Sequence, residues 1–293
     1  MDEIKNVLVC GKGEIGTAIG EVAQQAGMRV RFYDPPKNIF PPKTAKLKNI
    51  WPGYDVVHVC YSINKLQEIY DITDYVRDDG VIVIDATINV GFAGSIQGAL
   101  TDEGHKQLLL HSPVRGRHPN MVDGLKKYVK FVGPADPSRI TEAANFCRDY
   151  YTKLGIKWQL LSSADNAAAG KLFDTTWYLT QITFANQVAM YCAQKNLNFN
   201  EVYNRFQETG DTGRKFEVVD GRAICMKFVP RPVMVPGAIG GHCLLPNLEL
   251  IKGNISPAYY SWVKQMNDYF TSEVKAFVEK KGTETASHEG DKE

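Results

Sequence analysis

Residues 6–34 constrain the fold more tightly than any other stretch of this chain. The apolar run 6–10 (NVLVC) leads into Gly11-Lys12-Gly13-Glu14-Ile15-Gly16. An amphipathic segment then runs from Gly16 to Gly27, with Ile15, Ile19, Val22, Ala23 and Ala26 on one face, and a second apolar run, 28–34, closes on Asp34. Strand, glycine turn, helix and second strand form the opening of a dinucleotide-binding βαβ unit. The first glycine admits a tight turn and the second lets backbone approach a diphosphate. The third lets helix and strand pack closely, while the helix N-terminus attracts phosphate charge. Asp34 stands where a carboxylate accepts hydrogen bonds from an adenosine ribose and repels a 2′-phosphate, so the pattern favours NAD over NADP. The expected cofactor contacts are Gly11, Lys12, Gly13, Glu14, Ile15, Gly16 and Asp34, joined by Tyr61 and Thr87 at the ends of later strands. A GxGxxG turn alone has a plainer alternative, a turn without ligand; the acid in register behind it favours the dinucleotide.

The alternation continues. Strands are predicted at 55–62, 80–87, 106–113, 127–134 and 156–162, with helices at 64–76 and 138–154. Apolar runs buried on both faces and separated by helices indicate a parallel, doubly wound α/β sheet of the Rossmann type. The pattern changes at Ser163. From Ala164 to Lys195 there is no proline, and Leu172, Thr176, Leu179, Ile182, Thr183, Ala189 and Met190 recur at helical spacing. A helix of that length is about 45 Å long, the kind that joins domains or supports a dimer. A Pro-rich loop (229–243) and a final helix (257–280) follow. The expected layout is an NAD-binding domain at 1–162, a mostly helical catalytic and dimerisation domain at 163–281, and a disordered tail at 282–293.

Composition narrows the function classes. Lys plus Arg (34) nearly cancel Asp plus Glu (33), so no global field steers the chain to nucleic acid or a membrane surface. No stretch approaches the roughly 18 uninterrupted apolar residues of a spanning helix. The N-terminus lacks the basic start and longer apolar region of a signal peptide, which favours a cytoplasmic location. Six scattered cysteines form no CxxC pair, arguing against a disulfide scaffold or a metal site. Cys10 and Cys60 read as small core residues.

Four further segments resemble the UDP-glucose/GDP-mannose dehydrogenase family. Asp85-Ala86-Thr87-Ile88-Asn89-Val90-Gly91 looks like its S-T-V-P-x-G turn after a core strand. His111-Ser112-Pro113-Val114-Arg115 through Gly133 resembles its S/N-P-E segment and the following strand. Ala168-Ala169-Gly170-Lys171-Leu172, leading to Ile182 and Asn186, resembles its E-x-x-K-x-x-x-N…I-x-x-x-N-E helix. Gly240-Gly241-His242-Cys243-Leu244-Leu245-Pro246 is close to G-G-H-C-L-P, the most specific match.

The resemblance implies NAD-dependent oxidation of a CH–OH group on a sugar, nucleotide-sugar or sugar-acid-like substrate. In that family a cysteine attacks the aldehyde made by the first hydride transfer, and the thiohemiacetal is oxidised again before hydrolysis. Cys243 matches the nucleophile, Lys171 the lysine that stabilises an oxyanion or accepts the hydroxyl proton, and Thr87 a threonine that helps position water. Arg115, Arg117 and His118 suit an anionic substrate, and Thr175 and His242 complete the expected substrate contacts. Each has a plainer counterpart: a small loop cysteine, a solvated helix lysine, a strand-closing threonine, a structural histidine, an exposed basic loop. Three positions depart from the family. Asn247 stands where it has an acid, Thr175 where it has asparagine and Val114 where it has glutamate. The family also continues into a second nucleotide-binding domain beyond the length of this sequence. Alternatives are therefore a two-electron β-hydroxyacid or 6-phosphogluconate-type dehydrogenase, or an NAD-binding protein without chemistry. A homodimer formed through the long helix is expected.

Overall fold

The structure, a computed structural model, describes residues 4–40, 53–62, 67–116, 120–209, 217–219, 222–224, 233–240 and 243–274. The chain divides into two compact units, Met1–Leu172 and Phe173–Glu293.

The first unit is a seven-stranded sheet with helices on both faces. In chain order its elements are β1 (Asn6–Cys10), α1 (Glu14–Gln25), β2 (Arg29–Tyr33), β3 (Tyr54–Val59), α2 (Gln67–Thr73), β4 (Val76–Ile84), α3 (Phe92–Asp102), β5 (Leu108–His111), α4 (Met121–Lys127), β6 (Lys130–Pro134), α5 (Ile140–Tyr150) and β7 (Trp158–Leu160). The strand order is β2-β1-β3-β4-β5-β6-β7. β1 through β5 are parallel, as the doubly buried apolar runs require. The chain leaves β1 for β2 on one side and returns to β3 on the other, so a crevice opens at the carboxyl ends of β1 and β3.

Successive strand residues face opposite layers. Val7, Val9, Val56, Val81, Val83, Leu108 and Leu110 pack with Ile19 and Val22 of α1 and Phe146 and Tyr150 of α5. Leu8, Val57, Val59, Ile82, Ile84 and Leu109 pack with Ile69 and Ile72 of α2 and Ile96 and Leu100 of α3. Each such fully buried side chain contributes about 1.5–3 kcal/mol relative to an exposed one.

The sequence pattern missed three features here. α3 and α4 were not expected, and β6 runs antiparallel to β5. The pairs Leu110↔Pro134 and His111↔Gly133 leave residues 130–132 beyond the carboxyl end of β5. The connection therefore turns back at that edge instead of crossing over the sheet, and β6 overhangs the crevice side. The expected tail at 282–293, and the last turns of the expected final helix, lie outside the described residues.

The long helix is present as α6 (Ala164–Lys195), whose first turns belong to the first unit. The second unit adds α7 (Arg205–Thr209), a hairpin of β8 (Glu217–Val219) and β9 (Arg222–Ile224), α8 (Leu244–Ile251) and α9 (Pro257–Tyr269). Its main core gathers Leu179, Ile239, Leu248 and Val263.

Gly133 marks a tight junction of the first unit. A Cβ there would lie 2.0 Å from the Ser163 carbonyl oxygen, where the chain turns into α6. Backbone on both sides leaves no flexible atom to yield. Gly133→Ala is expected to cost the upper end of the roughly 1–3 kcal/mol typical of overpacking, or more. Urea denaturation checks this; a change within experimental error contradicts the close approach.

Candidate functional site

At the mouth of β1 the glycine turn takes the shape its residues dictate. Gly11 has φ +93°, and its N–H donates to the Tyr33 carbonyl at 2.8 Å. A Cβ on Gly11 would meet Cys60 and the Tyr61 ring at 3.3 Å; one on Gly16 would lie 1.9 Å from the Gly11 carbonyl oxygen. Gly13 is the N-cap of α1, supplies no side-chain cap, and has open space where its Cβ would stand. The first N–H groups of α1 thus face an open mouth, the geometry that receives phosphate.

Asp34 closes the turn from the β2 side. Its Oδ2 accepts the Lys12 N–H at 2.7 Å and lies 3.4 Å from the Lys37 ammonium, which also donates to the Lys12 carbonyl. Among the described residues, Oδ1 carries no hydrogen bond. The Lys12 ammonium sits 5.0 Å from the Phe32 ring centre. Gly11, Lys12, Gly13, Gly16, Asp34 and Tyr61 are thereby gathered around one turn. Glu14 is exposed in the first helical turn, and Ile15 packs against the core.

Beneath the neighbouring strand ends lies a polar network that the sequence analysis did not anticipate. Asp85, at the end of β4, is 1% exposed. Its Oδ1 accepts from the Lys130 ammonium at 2.7 Å, and its Oδ2 lies 2.6 Å from His58 Nδ1. Lys130 also donates to the Ser112 carbonyl at 2.7 Å, and His58 Nε2 lies 2.8 Å from the Tyr150 hydroxyl. With Nδ1–H donated to Asp85, Nε2 accepts from Tyr150, so both ring nitrogens and both carboxylate oxygens are engaged. Burial works against the Asp85 charge, but Lys130 and His58 outweigh it and hold the carboxyl below its usual value. Burial, then the Asp85 charge, pushes the Tyr150 hydroxyl well above its usual value, so it remains a donor.

The network fixes the turn that carries Thr87. Asp85 N–H donates to Val59 O at 2.9 Å, and Val114 N–H donates to Asp85 O at 3.1 Å. His111, wholly buried, lies between this turn and α6: Nε2 is 3.1 Å from Ala86 O and Nδ1 3.3 Å from Ala164 O, and the neutral ring donates its single N–H to one of the two. Asp165 Oδ1 accepts the Gly91 N–H at 2.8 Å. Thr87 and Lys171, both half-buried, therefore stand on segments tied together within the first unit. Arg115 is half-buried, its guanidinium 5.6 Å from the centres of the Tyr128 and Phe131 rings. Arg117, His118 and His242 lie outside the described residues.

In the second unit Cys243 is exposed at the N-terminus of α8. Its carbonyl accepts the Asn247 N–H at 3.0 Å, and Asn247 Nδ2 donates to Thr175 Oγ1 at 3.2 Å. Two of the three positions that depart from the resembled motif thus touch, as a neutral amide–hydroxyl pair. Burial pushes the thiols of Cys10, Cys60 and Cys192 up and that of Cys147 to about 12, so these stay protonated. Among the described residues no three His, Cys, Asp or Glu side chains gather as a metal site, and no helix is long and apolar enough to cross a membrane.

No protein-family model matches this chain, and no curated protein sequence matches it. Solved structures do. The UDP-D-ManNAc dehydrogenase of Pyrococcus horikoshii is 18% identical, with a TM-score of 0.71 over 96% of this chain and 72% of that one. The NDP-N-acetyl-D-galactosaminuronic acid dehydrogenase of Methanosarcina mazei Go1 is 19% identical, with a TM-score of 0.64 over 94% of this chain and 68% of that one. The 3-hydroxyisobutyrate dehydrogenase of Mycobacterium tuberculosis is 17% identical, with a TM-score of 0.62 over 92% of this chain and 94% of that one. These likenesses establish the fold, a Rossmann-type domain followed by a helical one.

The His111 bridge yields a pH test. Burial lowers its pKa from 6.5 to about 4, against the pull of the Ala86 and Ala164 carbonyls. Between those values the unfolded chain binds a proton that the folded chain does not, so stability is complete above about 6.5 and declines as pH falls toward 4. The expected loss is on the order of 3 kcal/mol across the window. Denaturation at several pH values checks it; His111→Gln flattens this slope, and an equal slope in the variant contradicts the assignment.

Proposed function

We propose that this chain is a nicotinamide-dependent dehydrogenase that oxidises a CH–OH group on a sugar, nucleotide-sugar or sugar-acid-like substrate. The observation that carries this reading is the glycine turn. An uncapped helix N-terminus, open space at Gly13, a turn whose close approaches at Gly11 and Gly16 leave no room for a Cβ, and an acid with one carboxylate oxygen unengaged among the described residues fit a dinucleotide. Gly11 to Gly16 hold the diphosphate and Asp34 the adenosine ribose. The Asp34 charge opposes a 2′-phosphate, which makes NAD the cofactor. Tyr61 and Thr87 line the nicotinamide side. Held by these residues, the nicotinamide would supply the hydride acceptor for the substrate carbon.

The remaining chemistry falls to this chain's own side chains. Lys171 accepts the hydroxyl proton or steadies the alkoxide left by its removal, which collapses to the carbonyl as the hydride leaves. Cys243 attacks the resulting aldehyde carbon through Sγ, and the thiohemiacetal oxygen takes up the proton. Arg115, with Arg117 and His118 just beyond it, supplies positive charge for an anionic substrate, and Thr175 and His242 complete the contacts. The unpaired described thiols suit a reducing, cytoplasmic compartment.

The Asn247–Thr175 pair favours a second reading. A neutral amide in place of an acid removes the group that would manage a hydrolytic water, so a single two-electron oxidation of a hydroxyacid stands behind the first. Exposed Phe173, Trp177, Phe184 and Tyr191 on α6, with a groove of about 490 Å³ beside Phe173, Trp177 and Tyr259, further suggest that a second copy covers this helix.

A panel of sugars, nucleotide-sugars and hydroxyacids, read by NADH absorbance, tests the activity. Lys171→Ala is expected to slow turnover about 100- to 10,000-fold, and Cys243→Ser to abolish the second oxidation. One NADH per substrate with indifference to Cys243→Ser selects the second reading, and wild-type rates in both variants contradict the mechanism. Sedimentation is expected to show a dimer at micromolar protein, converted to monomer by Trp177→Glu; a wild-type monomer contradicts the interface.

A further inference from the structure

The segment 233–240 carries no regular secondary structure, yet its backbone is pinned at two places. Asn186, on α6 and wholly buried, accepts the Gly237 N–H through Oδ1 at 2.7 Å and donates from Nδ2 to the Gly237 carbonyl at 2.9 Å. Asn267, on α9 and 9% exposed, repeats the arrangement with Ile239. Its Oδ1 accepts the Ile239 N–H at 2.6 Å, and its Nδ2 donates to the Ile239 carbonyl at 3.2 Å. Each side-chain amide makes the donor-and-acceptor pair that a residue on a neighbouring strand would make. Two helices thus substitute for a missing strand.

Apolar contacts seat the same segment. Met234 packs with Ala185 and Tyr203, and Ile239 with Leu179, Leu248 and Val263. Only positions 240–242 separate Ile239 from Cys243, which opens α8, and Leu244 packs against the same core as Ile239. The segment is therefore held on both sides of the stretch that presents the thiol.

We propose that Asn186 and Asn267 are positioning residues, which fix the backbone of residues 237–239 and through it the placement of Cys243. The inference rests on the reading of Cys243 as the reactive side chain. It adds why two amides, which touch no reacting atom, belong to that chemistry. Alanine at Asn267 leaves the buried N–H and carbonyl of Ile239 without these partners, and alanine at Asn186 does the same at the half-buried Gly237, a local cost that opens the segment before it opens the sheet of the first unit.

The test needs no substrate. In the full-length wild type, Asn186→Ala and Asn267→Ala, hydrogen exchange reads the Gly237 and Ile239 amides. Peptide mass spectrometry reads alkylation of Cys243 by iodoacetamide across pH. Loss of one amide should speed exchange at its partner about tenfold or more, with the first unit's sheet still protected. The rate and pH profile of Cys243 alkylation should change with it. Asn186→Ser and Asn267→Ser, which keep a shorter donor and acceptor, should fall between wild type and alanine, and they carry the test if the alanine variants do not fold. Unchanged protection at 237 and 239 overturns the clamp, and faster exchange with unchanged Cys243 alkylation overturns its link to the thiol. Absence of NADH formation by the wild type counts against the proposed activity alone and leaves both readings of this experiment intact.

Discussion

A carboxylate buried at the end of β4 organises much of the first unit. Removing an ion of that kind from water costs several kcal/mol unless partners compensate it. Asp85 obtains them from three directions: Lys130 of β6, His58 of β3 and, through His58, Tyr150 of α5. The antiparallel overhang of β6 is what brings the Lys130 ammonium within 2.7 Å of both Asp85 and the Ser112 carbonyl. An unexpected strand direction and an unexpected ion pair are therefore one fact seen twice.

From Asp85 the constraint passes to the turn that follows. The buried His111 ring lies between the Ala86 and Ala164 carbonyls and donates to one of them, and the Gly91 N–H donates to Asp165, so the loop bearing Thr87 and the start of the helix bearing Lys171 are held side by side. The glycine turn at β1 faces the same carboxyl edge and is set independently, by the close approach of Gly16 to Gly11 and by Asp34 on Lys12. In the second unit side-chain amides take over this work. Charge holds the turn of the first unit, whereas neutral hydrogen bonds hold the cysteine segment of the second.

What the sequence made legible follows from how local each signal is. The glycine turn, β1, α1, β2 and Asp34 are written in consecutive residues, and α6 announces itself by unbroken helical spacing over 164–195. The Asp85 network was hidden because its members lie 27, 45 and 92 residues apart along the chain, and His58 and Lys130 sit inside strand-like runs where one polar residue carries no periodic signature. The direction of β6 was equally hidden, since apolar alternation does not say which way a strand runs. Cys243, Asn247 and Thr175 were picked out by resemblance to a motif. Only the structure brings the last two into contact, which turns separate departures into one neutral pair.

The account depends most on dinucleotide binding at the β1 turn, and calorimetric titration of the purified protein with NAD tests it directly. Saturable one-to-one binding is predicted, lost in Gly16→Val, whose side chain would push the helix off the Gly11 carbonyl, and weakened in Asp34→Ala. No heat of binding with either oxidised or reduced NAD, from protein whose sheet is intact by circular dichroism, would contradict it.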